Sequence, residues 1–169
     1  MIRPATLADA EALSTFGRHV FSATFGADND PDDLRAYLDD AYAPRVQSAE
    51  IADPAISTLI AHAGDAWCGF AQVRVSDVPA CVDDATAIEL WRLYVDHAWH
   101  GRGVAAALMA SACDDIARRG ARTAWLGVWE RNARAQAFYR KQGFTRVGTH
   151  TFVLGRDVQT DEIWMRRLQ

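Results

Sequence analysis

The segment 89–119 limits the possible folds most strongly, because it predicts a strand, a glycine turn and a helix in immediate succession. The strand is predicted from an apolar, β-prone run: Leu90, Trp91, Leu93, Tyr94 and Val95. The helix after Gly103 is predicted from apolar residues spaced by four, which form one stripe: Val104, Leu108, Ala112 and Ile116. A strand followed by a helix that covers it predicts an α/β fold.

The turn between this strand and helix, residues 100–105, has the composition of an anion site. Gly101 and Gly103 lack a Cβ, so the backbone can take positive φ and a ligand can lie against it. The first amides of the following helix have no helical partner, and with Arg102 and the helix dipole they favour a pyrophosphate. An ordinary glycine-rich turn is the alternative interpretation. The pattern lacks the Gly-Lys-Ser/Thr of a Walker loop and the third glycine of a Rossmann turn.

Composition and charge narrow the functional class. A length of 169 residues, of which 50% are hydrophobic, predicts one globular domain over residues 1–169. The formal net charge of −4 argues against a general nucleic-acid binder. No apolar run reaches the roughly 18 residues that a membrane helix needs. The start of the chain has no long apolar signal core and the three cysteines are scattered, so we expect a reduced cytoplasmic protein.

The remaining elements are predicted from local patterns. Two β-rich runs, residues 56–62 and 67–75, flank a glycine turn and predict a hairpin. Residues 123–128 follow the long helix, which ends at Gly120, and predict a strand parallel to the first one. The other predicted elements are a strand at 2–5, helices over about 12–21 and 31–42, and closing strands at 144–153 and 162–168 joined by a polar loop.

Residues 132–144 predict a short helix with a polar start and a glycine stop. Asn132 is a good N-cap, because its side-chain oxygen can accept a hydrogen bond from an amide of the first turn. The residues that share one helical face are Ala135, Phe138, Tyr139 and Gln142. Gly143 follows them and predicts the end of the helix.

These two motifs, taken together and in this order, resemble the GNAT family of acyl-CoA-dependent N-acetyltransferases. Residues 100–105 resemble its Q/R-x-x-G-x-G/A pyrophosphate turn, with His100 in place of Gln or Arg and Ala105 at the second-glycine place. Residues 132–144 resemble its N-x-x-A-x-x-F-Y-x-x-x-G-F helix. A narrower resemblance, to the bacterial Pai-type spermidine/spermine acetyltransferases, is carried by residues 126–132 and 155–165.

The resemblance implies an α/β (α+β) fold with a mixed central sheet of about six to seven strands flanked by about four helices. It also implies that two central parallel strands, here residues 93–95 and 124–128, splay apart and hold acetyl-CoA between them as the co-substrate. The residues that it assigns to acetyl-CoA binding are Leu93, Tyr94, Val95, His100, Gly101, Arg102, Gly103, Val104, Ala105, Asn132, Ala135, Tyr139 and Lys141. An amide near Tyr94 or Val95 would stabilise the oxyanion.

The implied reaction is direct attack of an amine on the thioester, and it needs two proton transfers. An alkylammonium has a pKa of roughly 10, so the acceptor must lose a proton before or during attack. Glu89 is the predicted general base, with a solvated strand-end carboxylate as the alternative interpretation; Glu130 or a water chain could take this proton instead. Tyr139 matches the family's general-acid tyrosine and would protonate the leaving thiolate, although a half-buried core aromatic is the alternative.

The expected partners are acetyl-CoA and a small-molecule amine acceptor such as a polyamine, with no nucleic acid and no membrane. No metal is expected, because His97 and His100 lie three residues apart without a third ligand nearby. Arg134, Arg140 and Lys141 are basic residues that could reach a phosphate of the cofactor. Two alternatives stay open: a non-catalytic CoA-binding module of the same fold, and an enzyme for protein N-termini or lysines. Related domains often pair, so a homodimer is compatible with the resemblance.

Overall fold

The computed structural model describes residues 1–168. Within that range the chain forms seven strands and five α-helices. The strands are β1 (Ile2–Pro4), β2 (Ile56–Ala63), β3 (Ala66–Arg74), β4 (Ile88–Val95), β5 (Thr123–Trp129), β6 (Thr145–Leu154) and β7 (Asp157–Arg167). The helices are α1 (Ala10–Phe25), α2 (Pro31–Ala41), α3 (Pro44–Ala52), α4 (Val104–Arg118) and α5 (Ala133–Lys141). In this part of the chain no helix has both the length and the apolar character needed to cross a membrane.

All seven strands belong to one sheet, in the order β1-β2-β3-β4-β5-β7-β6. Within the described chain β4 and β5 are the one parallel pair, and every other neighbouring pair is antiparallel. A parallel pair needs a long crossover, which α4 supplies. The mixed sheet and its flanking helices confirm the fold class that the sequence resemblance implies.

The parallel strands β4 and β5 separate soon after they begin. Their Cα partners are Ile88 with Ala124 and Glu89 with Trp125, and the pairing ends there in the described chain. Beyond this point β4 continues beside β3, and β5 continues beside β7. The two strands therefore form a wedge that opens toward their C-terminal ends, as the resemblance implies.

Two hydrophobic layers hold the wedge in place. On one face of the sheet, α4 buries Leu108 and Ile116 completely. On the other face, α1 buries Leu13 and Phe21 against Phe70 of β3. Each such side chain contributes roughly 1.5–3 kcal/mol when it is fully removed from water. Members of both layers also line the wedge, Tyr139 from the first and Tyr94 from the second, so its walls are packed elements and not loose loops.

Two parts of the fold differ from the prediction. Helix α3 is not predicted by the sequence, because its buried side chains are the polar Gln47 and Glu50 and it has no apolar stripe. The predicted loop between residues 153 and 162 is wrong: β6 and β7 form a long hairpin, which turns at Gly155 with φ of 60°. The hairpin residues that line the cavity mix polar and apolar side chains, so the strands lack the usual apolar alternation: His150, Phe152, Leu154, Gln159 and Asp161.

Candidate active site

A cavity of about 530 Å³ lies between the splayed strands β4 and β5. Its volume is within the range of about 300–1,000 Å³ that is typical of small-molecule sites. The helices α1, α2, α4 and α5 and the β6–β7 hairpin also contribute to its walls. The predicted site residues that line it are Glu89, Leu93, Tyr94, Val95, His100, Gly101, Gly103, Val104, Ala105, Asn132, Ala135 and Tyr139.

The glycine turn before α4 presents bare backbone to this cavity. Gly101 and Gly103 have φ of 73° and 81°, which few other residues adopt. A Cβ built on either glycine would meet no atom within 4 Å, so the space in front of the turn is open. The amide of Ala107 bonds to the carbonyl of Gly103 at 3.0 Å, and the amides before it have no i−4 partner. Free donors at the positive end of a helix dipole suit an anion.

Two basic residues that the sequence assigns to acetyl-CoA lie outside the cavity wall. Arg102 is exposed, and its guanidinium lies 5.3 Å from the centre of the Trp99 ring. Lys141 is exposed at the last position of α5, whereas the cavity contacts the first two turns of that helix. The structure brings neither side chain to the cavity, because each points from its element toward solvent. Of the three basic residues considered for a cofactor phosphate, Arg134 at the start of α5 lines the cavity, and Arg140 and Lys141 do not.

His100 connects the end of β4 to α5. Its Nε2 lies 3.0 Å from the carbonyl oxygen of Val95, and its Nδ1 lies 2.7 Å from Nη1 of Arg134. Arginine can only donate, so Nδ1 accepts and Nε2 donates to the carbonyl. Both ring nitrogens are therefore engaged, and the phosphate contact expected of His100 stays a prediction. In residues 1–168 no three metal-ligating side chains are grouped around His100 or elsewhere.

The hydrogen bonds of β4 decide which of its amides face the wedge. The amide of Asp96 donates to the carbonyl of Cys68 on β3. Backbone groups of an antiparallel strand alternate in direction, so Tyr94 also points its amide toward β3, and Leu93 and Val95 point theirs toward the wedge. The Tyr94 ring packs against Phe70 at a centroid distance of 5.6 Å. Of the two amides considered for the oxyanion, that of Val95 faces the cavity and that of Tyr94 does not.

Helix α5 carries Tyr139 into the cavity wall. Asn132 caps the helix, because its Oδ1 accepts a hydrogen bond from the amide of Ala135 at 3.1 Å. Tyr139 is 9% exposed and packs against Phe138 and Phe144. Burial raises the pKa of Tyr139 well above its ordinary value, so the phenol stays protonated at neutral pH. Both interpretations of Tyr139, a core aromatic and a proton donor, agree with this position.

Glu89 lines the cavity but is not a solvated carboxylate. It is 6% exposed. Its Oε2 accepts hydrogen bonds from Nε of Arg74 at 2.5 Å and from Oγ of Ser76 at 2.8 Å, and its Oε1 lies 3.3 Å from Nη2 of Arg74. The alternative of a solvated strand-end acid is therefore wrong. The Glu89 carboxylate is therefore already engaged by two side chains of its surroundings.

A second carboxylate in the cavity, Asp161 of β7, is not found by the sequence motifs. Its Oδ2 lies 3.7 Å from Nε2 of His150, its cross-strand partner on β6. Burial raises the pKa of Asp161, and His150 opposes part of the shift. The sequence does carry one signal: Asp161 lies two and four positions before Ile163 and Met165, which predicts the same buried face of the strand.

Comparisons with known proteins agree with this geometry. Residues 19–144 match the model of the acetyltransferase (GNAT) family. The chain is 31% identical to an uncharacterized N-acetyltransferase in the pepI 3′ region of Lactobacillus delbrueckii subsp. lactis, over 95% of this chain and 92% of the relative. It is also 31% identical to an uncharacterized N-acetyltransferase of Mycobacterium tuberculosis, over 96% of this chain and 99% of the relative. The fold is similar to that of a PaiA N-acetyltransferase from Thermoplasma acidophilum solved with coenzyme A, with a TM-score of 0.80, 20% identity, and coverage of 99% and 98% of the two chains.

Proposed function

The chain belongs to the GNAT family of acetyltransferases, and we propose that it transfers the acetyl group of acetyl-CoA to the primary amine of a small molecule by direct attack. The observation that carries this proposal is one continuous cavity that contacts the Gly101–Gly103 turn, the Val95 backbone and Tyr139. An anion site, a free strand edge and a proton donor around one space are what a thioester-dependent transfer requires. A polyamine is the acceptor class that we test first.

The wedge fits acetyl-CoA through backbone groups. The bare amides at the start of α4 would hold the pyrophosphate, because the open space in front of Gly101 and Gly103 lets it approach. Within residues 1–168 the amides of Leu93 and Val95 have no partner strand, so they can donate to the amide carbonyl oxygens of the pantetheine arm. Acetyl-CoA supplies the activated thioester. Arg134, held by His100, adds a positive charge beside this path.

Two groups of the chain would act on the reacting atoms. The amide of Val95 would donate to the thioester oxygen as negative charge develops on it. Tyr139 would donate a hydrogen bond to the leaving sulfur, since its raised pKa keeps the phenol protonated. Glu89 is the carboxylate that the sequence analysis predicts as the general base. To take the proton, it has to give up its pair with Arg74.

A transfer screen tests this function. The purified chain is incubated with acetyl-CoA and spermidine, spermine, putrescine, free amino acids or a short peptide, and products are identified by mass spectrometry. We expect acetylation of at least one polyamine. The trimethylammonium compound choline is the matched negative control, because it has no N–H to lose.

Two results would decide against the proposal in different ways. Transfer to the peptide alone would favour an enzyme for protein N-termini or lysines. No transfer to any amine, combined with no calorimetric binding of CoA, would refute the proposed function.

A further inference from the structure

The pair His150 and Asp161 lies on the same face of the sheet as the cavity. The two residues are register partners across β6 and β7, and Asp161 is also the register partner of Trp129 on β5. Gly127 of β5 lies beside them: a Cβ on Gly127 would be 3.1 Å from Nε2 of His150 and 3.4 Å from Oδ2 of Asp161. The absence of a side chain at Gly127 therefore lets both polar groups lie against β5, the strand that forms one edge of the wedge.

Two carboxylates line the cavity, Glu89 and Asp161, and Asp161 has the fewer neutralising partners. Its side chain is 14% exposed, and its ion-pair partner within residues 1–168 is His150 alone. Glu89, in contrast, is held by both the Arg74 guanidinium and Ser76. A buried carboxylate without a fixed cation is stabilised by any cation that enters the site. An alkylammonium provides that charge together with hydrogen-bond donors.

The groups around Asp161 also provide a path for a proton. His150, from β6, is 41% exposed and connects the carboxylate to solvent. Glu130, just after β5, is the acidic neighbour whose charge raises the pKa of Asp161, and Tyr37 of α2 lines the same cavity. Burial is the larger cause of that raised pKa, and it moves the carboxyl toward the range in which a base works best.

From this geometry we infer that Asp161 binds the ammonium of the acceptor and takes its proton, and that His150 passes this proton to solvent. The inference rests on the proposed function. One proton moves from R–NH3⁺ to Oδ2 of Asp161, then through one bridging water across the 3.7 Å gap to Nε2 of the neutral His150 ring, and from there to solvent. The neutral amine forms the new N–C bond as the C–S bond breaks. The second N–H proton goes to the thiolate, so each turnover releases one proton.

The test compares Asp161→Asn with Glu162→Gln, a carboxylate variant on the opposite face of the same strand. At pH 7, with spermidine and acetyl-CoA, we expect Asp161→Asn to lower kcat/KM about 100-fold. The loss should shrink by about tenfold per pH unit toward pH 9, because the variant can use only amine that is already neutral. Glu162→Gln should stay within about twofold of wild type at every pH. A structural defect would not recover at high pH.

The variant His150→Gln tests whether His150 passes the proton to solvent or only packs against Asp161. Glutamine cannot accept a proton and pass it on, so His150→Gln should lower kcat/KM about tenfold at pH 7, and it should leave the affinity of the enzyme–CoA complex for spermidine within about twofold because Asp161 is retained. An unchanged kcat/KM would exclude His150 from the path. Circular dichroism and CoA affinity show whether each variant is folded.

Equilibrium binding gives a readout that does not need turnover. Calorimetry of spermidine, and of tyramine as a monoamine, with the enzyme–CoA complex should show at least tenfold weaker binding to Asp161→Asn than to wild type and Glu162→Gln. Equal affinities, or no binding of either amine to wild type, overturn the assignment of Asp161. Full activity in Asp161→Asn with a 100-fold loss in Glu89→Gln would make Glu89 the base. If wild type acetylates no amine, the proposed function fails, and these binding data still decide the role of Asp161.

Discussion

Two groups of residues that line the cavity, which we call the backbone end and the side-chain end, are built from different parts of the polypeptide. The backbone end is one short segment, residues 93–105, and we expect it to bind through amides of β4 and of the first turn of α4. The side-chain end consists of side chains on separate strands: Glu89 on β4, Asp161 on β7 and His150 on β6. The first end depends on local conformation, whereas the second depends on strand register. The comparison explains why one end is visible as a sequence motif and the other is not.

The largest effect is expected on CoA affinity, from a variant that blocks the glycine turn at the backbone end. Gly103→Asp places a carboxylate where an anion should bind, at a φ of 81° that Asp tolerates better than most residues. We expect at least a 100-fold loss of CoA affinity by calorimetry, because like charges meet at the positive end of the helix.

Gly120→Asp is the matched control for this change. Gly120 follows the other end of α4, has φ of 88° and likewise has no atom within 4 Å of a built Cβ. Both variants should lose about 1 kcal/mol of stability from the backbone strain, whereas Gly120→Asp should keep its CoA affinity. Equal CoA affinity in the two variants would remove the turn from the binding site.

The next largest effect is expected on kcat, from removal of the Tyr139 hydroxyl. Tyr139→Phe should lower kcat about 100-fold and leave the KM for acetyl-CoA within twofold, because it removes a donor used as the sulfur leaves. Tyr42→Phe is the control, since the Tyr42 ring is also fully buried but does not belong to the cavity wall. Comparable kcat values for both variants would make Tyr139 a core aromatic only. Because burial raises its pKa, the wild-type activity should not fall from loss of the Tyr139 proton below about pH 10.

Much of the fold can be predicted from the sequence because most elements have an apolar face or a glycine stop. Helix α3 cannot, because it buries Gln47 and Glu50, and Glu50 accepts a hydrogen bond from Arg92 at 2.7 Å across the chain. A buried polar network has no periodic pattern in one segment, since its partners come from distant elements. The long β6–β7 hairpin is hidden for a related reason, because polar and apolar side chains are mixed on the face that lines the cavity.

The candidate site divides in the same way. The turn and Asn132 are predicted, because capping and glycine conformations are local properties. Asp161 is missed, because its role depends on Gly127 and His150, which become its neighbours only after three strands pair. The ion pair of Glu89 with Arg74 is missed for the same reason, since it joins β3 to β4.

A smaller effect tests the register at the side-chain end. Gly127→Ala would place a methyl group 3.1 Å from Nε2 of His150, so the ring or the strand must shift by a few tenths of an ångström. We expect about a tenfold loss in kcat/KM for the amine, with unchanged CoA affinity. In the double variant Gly127→Ala/Asp161→Asn, kcat/KM should be only slightly lower than in Asp161→Asn alone, because both changes act through the Asp161 carboxylate. Fully additive losses would mean that Gly127 acts independently of Asp161.

The smallest effect is expected on thermal stability, at the start of β4 and β5, where the two strands are still paired. Asp84 accepts hydrogen bonds from Thr123, at the start of β5, and from Thr86, just before β4, and these bonds lower its pKa to about 2. A lowered pKa in the folded state adds stability above the unfolded value of 3.8, and that stability is lost as pH falls toward 2. Asp84→Asn should therefore lower Tm by about 2–4 °C at pH 7, with no difference from wild type near pH 2.

Asp83→Asn is the control: its carboxylate is 72% exposed, so its surface pair with Arg167 should contribute almost nothing. If Asp84→Asn also reduced kcat, the closed end of the β4–β5 pair would control the spacing of both ends of the cavity, and the backbone and side-chain ends would not be independent.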